Sequence, residues 1–199
     1  MPQISLTDLV DIVSKSGTPK ASKVAQVKVR PDYEPAFDFY KSLREKIIDL
    51  HRKGQDKRGL TAFLGSVLDP RKKTNYPEVV EGYKKWWGRK KIAWFEPPRA
   101  VYAQSGVEIF VNPELGLEID GVPRLIKLYF KDDPLSKLRI DLITVLMELA
   151  LRGECKNKEI MSVLDVRSAK LFQLSAPVAK TKAVVDAELA YIATLWPNA

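Results

Sequence analysis

The 199 residues, 45% apolar and 29% charged, indicate a soluble globular chain of one domain, or one domain with a small appendage, and exclude wholesale disorder. No apolar run reaches the ~18 residues that a membrane-spanning helix needs, and the first residues lack the pattern of a secretory signal. A single cysteine, Cys155, and a single histidine, His51, exclude an internal disulfide and any site built from several of either residue. These features favour the reducing cytoplasm as the location.

The first 91 residues are predicted to be mainly helical, because apolar residues recur there at a spacing of three and four. Ser5, followed three positions later by Asp8, has the pattern of a capping box at the start of the first helix. The predicted helices of this half cover residues 5–16, 19–28, 35–53, 60–68 and 77–87. The segment 69–75 is predicted to be a linker, with Pro77 opening the helix that follows it.

The first two predicted helices are separated by Gly17 and form a helical hairpin whose second member carries three lysines. Such a pair is either a DNA-reading helix-turn-helix or an ordinary helical hairpin. The chain is predicted to divide into this hairpin, residues 1–30, and an α+β domain, residues 31–199. The α+β domain has a basic helical part over 31–91 and a sheet-containing core over 92–199.

After Lys91 the apolar residues alternate with a period of two, which predicts strands. The predicted strands cover residues 92–95, 99–104, 107–112, 115–120, 123–131, 160–167 and 170–175. Gly121 is predicted to be the turn of a hairpin. An apolar helix over 134–152, opened by Asp133-Pro134, should lie centrally on the sheet, and an amphipathic helix over 179–196 ends the chain. This order predicts an α+β fold in which helices cover an antiparallel or mixed sheet.

The net charge of +8 is confined to the helical half of the sequence. Residues 1–91 contain 20 Lys and Arg against 11 Asp and Glu, whereas residues 92–199 contain 13 against 14. Such an asymmetry favours a polyanionic partner for the first half, and nucleic acid is the leading interpretation. The alternatives are an anionic membrane surface, a protein partner, or a basic solvated surface without a dedicated ligand.

The strongest candidate for contact with nucleic acid is the segment 84–91, in which five cations flank two adjacent indoles. Cations neutralise phosphates and indoles stack on exposed bases, although the same composition also suits a membrane interface. Because adjacent helical residues point about 100° apart, Trp86 and Trp87 cannot both be buried on one narrow stripe. The predicted contact residues are Lys84, Lys85, Trp86, Trp87, Arg89, Lys90 and Lys91, with a second cluster at Arg71, Lys72 and Lys73.

A second constellation places carboxylates near lysines on the predicted hairpin. Residues two apart on a strand share a face, so Glu118 and Asp120 should project together. Carboxylates bind Mg²⁺ through oxygen, and a lysine stabilises the charge that develops during phosphodiester hydrolysis. Cross-strand salt bridges on a solvent-facing sheet are the alternative interpretation. The candidate catalytic residues are Glu114, Glu118, Asp120, Lys127 and Lys131, with Mg²⁺ or Mn²⁺ held by the three acids.

The predicted order of elements resembles the core of the PD-(D/E)XK nuclease-like superfamily, which runs helix, three strands, helix, strand. The resemblance covers about residues 35–170 and rests on topology more than on motifs. The matching segments are the helix over 35–53, the strands over 99–104, 107–120 and 123–131, the helix over 134–152 and the strand over 160–167. It implies a nuclease-like core within the α+β fold.

In this resemblance Pro113-Glu114 stands at the family's first acidic position and Tyr129-Phe130-Lys131 at its D/E-x-K position. Lys131 matches the motif, whereas Tyr129 replaces the required acid. The resemblance therefore implies either that Glu118 or Asp120 supplies the missing carboxylate from the neighbouring strand or that catalysis has been lost.

Two functions from different classes follow from the sequence. The leading one is a nucleic-acid-binding protein with a nuclease-like core. The sequence does not decide between DNA and RNA, or whether the protein also performs metal-dependent hydrolysis. The alternative is a non-catalytic interaction module that binds a protein or an anionic membrane surface. Salt dependence and a requirement for metal would separate them.

Overall fold

The computed structural model describes residues 1–30, 38–156 and 158–199 and confirms the α+β class. The helices are α1 (Leu6–Val13), α2 (Gly17–Lys28), α3 (Lys41–Arg52), α4 (Arg58–Ser66), α5 (Pro70–Trp87), α6 (Lys137–Leu151) and α7 (Val178–Leu195). The strands are β1 (Gln3–Ser5), β2 (Ile92–Phe95), β3 (Ala100–Gln104), β4 (Val107–Val111), β5 (Leu115–Ile119), β6 (Val122–Tyr129), β7 (Ile160–Asp165) and β8 (Lys170–Gln173). The predicted start of the third helix at Pro35 lies outside the described residues.

Two mixed sheets, rather than one, are present in the described part of the chain. The smaller has the order β1-β4-β3, and the larger has the order β2-β5-β6-β7-β8. In the larger sheet only the β6–β7 pair is parallel, and α6 provides the crossover that a parallel connection requires. The segment 107–120, which the family resemblance treats as one strand, is divided into β4 and β5 in different sheets. Pro113 lies between them, where it cannot donate to a ladder.

Helices cover both faces of the larger sheet, and each face has its own apolar cluster. Successive residues of β6 belong to opposite clusters. Leu125 belongs to the cluster formed with α1, α6 and α7, and Ile126 belongs to the cluster formed with α3, α4 and α5. The predicted central position of the apolar helix is confirmed, since Val145 and Leu146 of α6 are fully buried. The basic helices α3–α5 therefore form one outer layer of the molecule.

The predicted linker at 69–75 is wrong, because these residues form the first turns of α5. Asp69 caps the helix by accepting the backbone N–H of Lys72 at 3.0 Å, and Pro70 occupies the first helical position. Pro77 consequently lies inside the helix, where a proline costs about 3 kcal/mol relative to alanine. Burial of the α5 face that includes Tyr76 offsets this cost.

The N-terminal hairpin packs into the same apolar cluster as α6. The predicted capping box is confirmed, since Ser5 accepts the backbone N–H of Asp8 at 3.1 Å. β1 pairs in parallel with β4, and Lys20 of α2 forms an ion pair with Glu188 of α7. The helix-turn-helix interpretation stays a prediction. One of the three lysines of α2, Lys20, is neutralised by this ion pair within the protein.

Candidate nucleic-acid interface

The predicted contact segment 84–91 meets a second basic segment that is distant in sequence. The loop between α3 and α4 lies against the C-terminal end of α5, where the Lys57 ammonium donates to the carbonyl of Gly88. The His51 and Trp87 rings stack at 4.2 Å with an interplanar angle of 23°. We call the resulting region the basic surface. Its members are Arg52, Lys53, Lys57, Arg58, Lys84, Lys85, Trp87, Arg89, Lys90 and Lys91.

Carboxylates neutralise only some of the cations of the basic surface. The ion pairs are Arg52–Glu96, Lys53–Asp49, Arg58–Asp56 and Lys84–Glu81. Lys90 donates instead to the carbonyl of Trp86 in the last turn of α5, and Lys57 to that of Gly88, the residue that caps this end of the helix. Lys85, Arg89 and Lys91 are exposed and have no side-chain partner within the described residues. These three cations are therefore available to an external anion.

Only one of the two adjacent indoles is placed to contact a ligand. Trp86 is 3% exposed and packs against Tyr83 in the apolar cluster. Its predicted contact with nucleic acid is therefore corrected, because its position on α5 faces the sheet. Trp87 is partly exposed and lies among the cations.

His51 is buried on the inner side of α3. It is 5% exposed because it lies one turn after Ile47, on the buried stripe of α3. Burial lowers the pKa of His51 to about 4, so the ring is neutral at pH 7. Its Nε2 lies 2.6 Å from the Tyr83 hydroxyl, which holds the ring beneath Trp87.

We expect acidification from pH 7 to pH 5 to remove about 2 kcal/mol of stability through His51 alone. The folded-state pKa of about 4 lies below the ordinary value of 6.5, so the unfolded chain takes up the proton first. The contribution is therefore fully present above pH 6.5 and is lost as the pH falls toward 4. Urea unfolding of the wild type and His51→Gln across this range measures it. The wild-type free energy should fall more steeply, by up to about 1.4 kcal/mol per pH unit, and equal slopes would contradict a buried neutral ring.

The second predicted cluster, Arg71, Lys72 and Lys73, lies at the opposite end of α5. Thirteen residues separate Lys72 from Lys85, which corresponds to about 20 Å along the helix. Glu78 and Glu81 are exposed between the two ends, paired with Arg167 and Lys84 respectively. The cluster is thus a separate patch rather than an extension of the basic surface.

The predicted metal site is not assembled by the fold. Glu114 is 11% exposed and forms an ion pair of 2.6 Å with Lys127, while its other oxygen accepts the backbone N–H of Leu128 at 2.7 Å. Lys127 also donates to the carbonyl of Asn112 at 2.9 Å. Both Glu114 oxygens therefore already accept hydrogen bonds from the protein.

The other predicted catalytic residues lie elsewhere on the hairpin. Glu118 is exposed on β5, four residues after Glu114, which corresponds to about 13 Å at the rise of a strand. Asp120 lies in the turn, where its carboxylate accepts the backbone N–H of Lys91 at 2.9 Å. Lys131 pairs with Asp11 of α1 at 2.6 Å. The three acids do not fit a shared Mg²⁺ or Mn²⁺, and the described ranges contain no group of three His, Cys, Asp or Glu that could hold a metal ion.

A cleft of about 850 Å³ lies beside the Glu114–Lys127 pair. Most cations that line it are already paired with carboxylates. The pairs are Arg30–Asp8, Arg44–Asp38, Lys127–Glu114 and Lys131–Asp11. The cleft therefore offers less unneutralised positive charge than the basic surface does.

Comparison with known protein families and with curated proteins gives no match. Over the described ranges, no helix is long and apolar enough to cross a bilayer. The function is consequently argued from the geometry of the basic surface.

Proposed function

We propose that this protein binds nucleic acid through the basic surface. The observation that carries the proposal is that Lys85, Arg89 and Lys91, all within four residues of the partly exposed Trp87, are exposed and without a carboxylate partner among the described residues. Each phosphate that such a cation neutralises releases a condensed counterion, which drives binding at low salt. These three cations belong to the excess positive charge of residues 1–91.

The placement of the indoles favours nucleic acid over an anionic membrane. A peripheral membrane site needs apolar and aromatic side chains free to enter the headgroup boundary. Trp86 is buried, and one face of Trp87 is covered by His51. Cations around one partly exposed ring suit a phosphate backbone better than a lipid surface.

We propose binding without hydrolysis. The acid at the first motif position, Glu114, is engaged by Lys127 and by the backbone of Leu128. A divalent cation would have to displace that ammonium and would find Glu118 and Asp120 at the other end of the strand. This arrangement supports a structural ion pair at the position where the family resemblance implies a metal ligand.

Replacing Lys85, Arg89 and Lys91 together with alanine is expected to weaken binding by about tenfold to a hundredfold and to reduce the salt slope. The slope of log K against log salt should fall by about 2–3, since each lost phosphate contact removes about 0.7–0.9. The measurement is fluorescence anisotropy of labelled single- and double-stranded DNA and RNA across a salt series.

The matched control removes the same charge from the other half of the protein. Lys156, Lys158 and Lys170 are exposed and without ion-pair partners among the described residues, so their alanine triple variant should retain the wild-type slope. Equal losses in both triple variants would mean that net charge, not this surface, drives binding. Wild-type protein that fails to bind at low salt would overturn the proposal, and flotation with phosphatidylserine vesicles would then test the membrane alternative.

A further inference from the structure

The Trp87 indole lies on a rigid aromatic base within the basic surface. One face stacks on His51 at 4.2 Å, and its edge meets Tyr83 with ring centroids 6.1 Å apart and planes at 88°. Tyr83 is fully buried, and its hydroxyl lies 2.6 Å from His51 Nε2. The ring is thus fixed in orientation. A ligand that stacks on it would therefore cost little conformational entropy of the Trp87 side chain.

The rest of the Trp87 side chain is partly packed and partly exposed. Trp87 packs against the apolar cluster of α3, α4 and α5, its aromatic partners among the described residues are His51 and Tyr83, and no described cation lies over its ring. The nearby rings are otherwise occupied, since the Arg52 guanidinium lies 5.5 Å from the centroid of Trp94 and the Lys90 ammonium 5.5 Å from that of Trp86. Of these three indoles, Trp87 is the partly exposed one without a described cation over its ring.

We infer that the ligand of the basic surface is single-stranded nucleic acid, with one unpaired base stacked on Trp87; this inference rests on the proposed function. In a duplex the bases stack on one another and are unavailable to an aromatic side chain, whereas a single strand presents each base face. Lys85, Arg89 and Lys91 lie two to four residues from Trp87 in the sequence. Arg89 and Lys91, which follow Trp87, are therefore the candidates to contact the phosphates that flank a stacked base, whereas Lys85 points to another side of α5.

The test compares three probes of equal length: a labelled oligothymidylate, the same strand with abasic sites, and a duplex. Wild-type protein should bind the oligothymidylate about tenfold more tightly than the abasic strand, within the range that stacking provides. Trp87→Leu should bring the ratio of the two affinities close to one. Trp87→Phe should retain most of the preference for the base-bearing strand, since phenylalanine keeps an aromatic face.

Trp196→Leu is the matched control, since this indole is also partly exposed but belongs to the opposite cluster of the protein. It should keep the wild-type preference, and circular dichroism of each variant checks that it is folded. Equal affinities of the wild type for base-bearing and abasic strands, or an unchanged preference in Trp87→Leu, would overturn the stacking inference. In that case the proposed function would still be supported if binding is sensitive to salt and is lost in the Lys85, Arg89 and Lys91 alanine variant. Absence of wild-type binding to every probe would contradict both the proposed function and the stacking inference.

Discussion

Replacing Lys127 with methionine is expected to lower the free energy of unfolding by about 3 kcal/mol, because it leaves the Glu114 carboxylate without its ammonium partner. The two side chains are only 15% and 11% exposed, so water can replace the lost ion pair only in part. Methionine keeps most of the aliphatic volume of the lysine, which limits the loss of packing. Urea unfolding at pH 7 measures the difference.

A double variant and a surface pair separate the ion pair from other effects. Combining Lys127→Met with Glu114→Gln should recover most of the loss, since a neutral amide can still accept the backbone N–H of Leu128. Lys53→Met breaks the exposed Lys53–Asp49 pair, with side chains 58% and 39% exposed, and should cost about 0.5 kcal/mol or less. A loss at Lys127 no larger than that at Lys53 would contradict the structural role of the pair.

Metal addition distinguishes this ion pair from a metal site. A protein that binds Mg²⁺ or Mn²⁺ in its folded state gains stability by mass action as the metal concentration rises. If Glu114 serves Lys127, the wild-type melting temperature should stay constant through such a titration. A rise that disappears in Glu114→Gln would restore the metal-site prediction.

The fold class was predictable because its signals are local. The change from helical to alternating spacing near Lys91 marks the start of the strands, and the Gly121 turn fixes the β5–β6 register with Ile119 opposite Val122. The division into two sheets was not predictable, since it depends on the pairing of the three-residue strand β1 with β4. The helical start at Asp69-Pro70 was missed because the polar composition of 69–75 is equally typical of a loop.

The candidate site was predictable only where its residues are contiguous in the sequence. The run 84–91 is contiguous, so its charge is visible in the sequence, whereas the contribution of Arg52 to Arg58 depends on the packing of the α3–α4 loop against Gly88. Spacing alone showed that Trp86 and Trp87 could not share one stripe, but only the sheet beneath α5 decides which is buried. The Glu114–Lys127 pair follows from the strand register, in which Leu115 lies opposite Ile126.

Gly82→Ala is the substitution for which helix propensity and tertiary packing predict opposite signs. Gly82 lies inside α5, and in an isolated helix alanine would be about 1 kcal/mol more favourable. In the folded protein an added Cβ would lie 2.1 Å from the carbonyl oxygen of Val166 and 2.9 Å from that of Arg167. Because both atoms belong to the backbone after β7, relief requires α5 to move away from the sheet.

We therefore expect Gly82→Ala to lower the free energy of unfolding by about 3 kcal/mol, at the upper end of the usual range for overpacking. Gly65→Ala in α4 is the matched control, since its added Cβ meets no atom within 4 Å, and it should be neutral or stabilising by up to about 1 kcal/mol. Urea unfolding of both variants gives the comparison. A stabilising Gly82→Ala would mean that α5 does not contact the turn after β7. The basic surface shares this helix, so its position relative to the sheet depends on that contact.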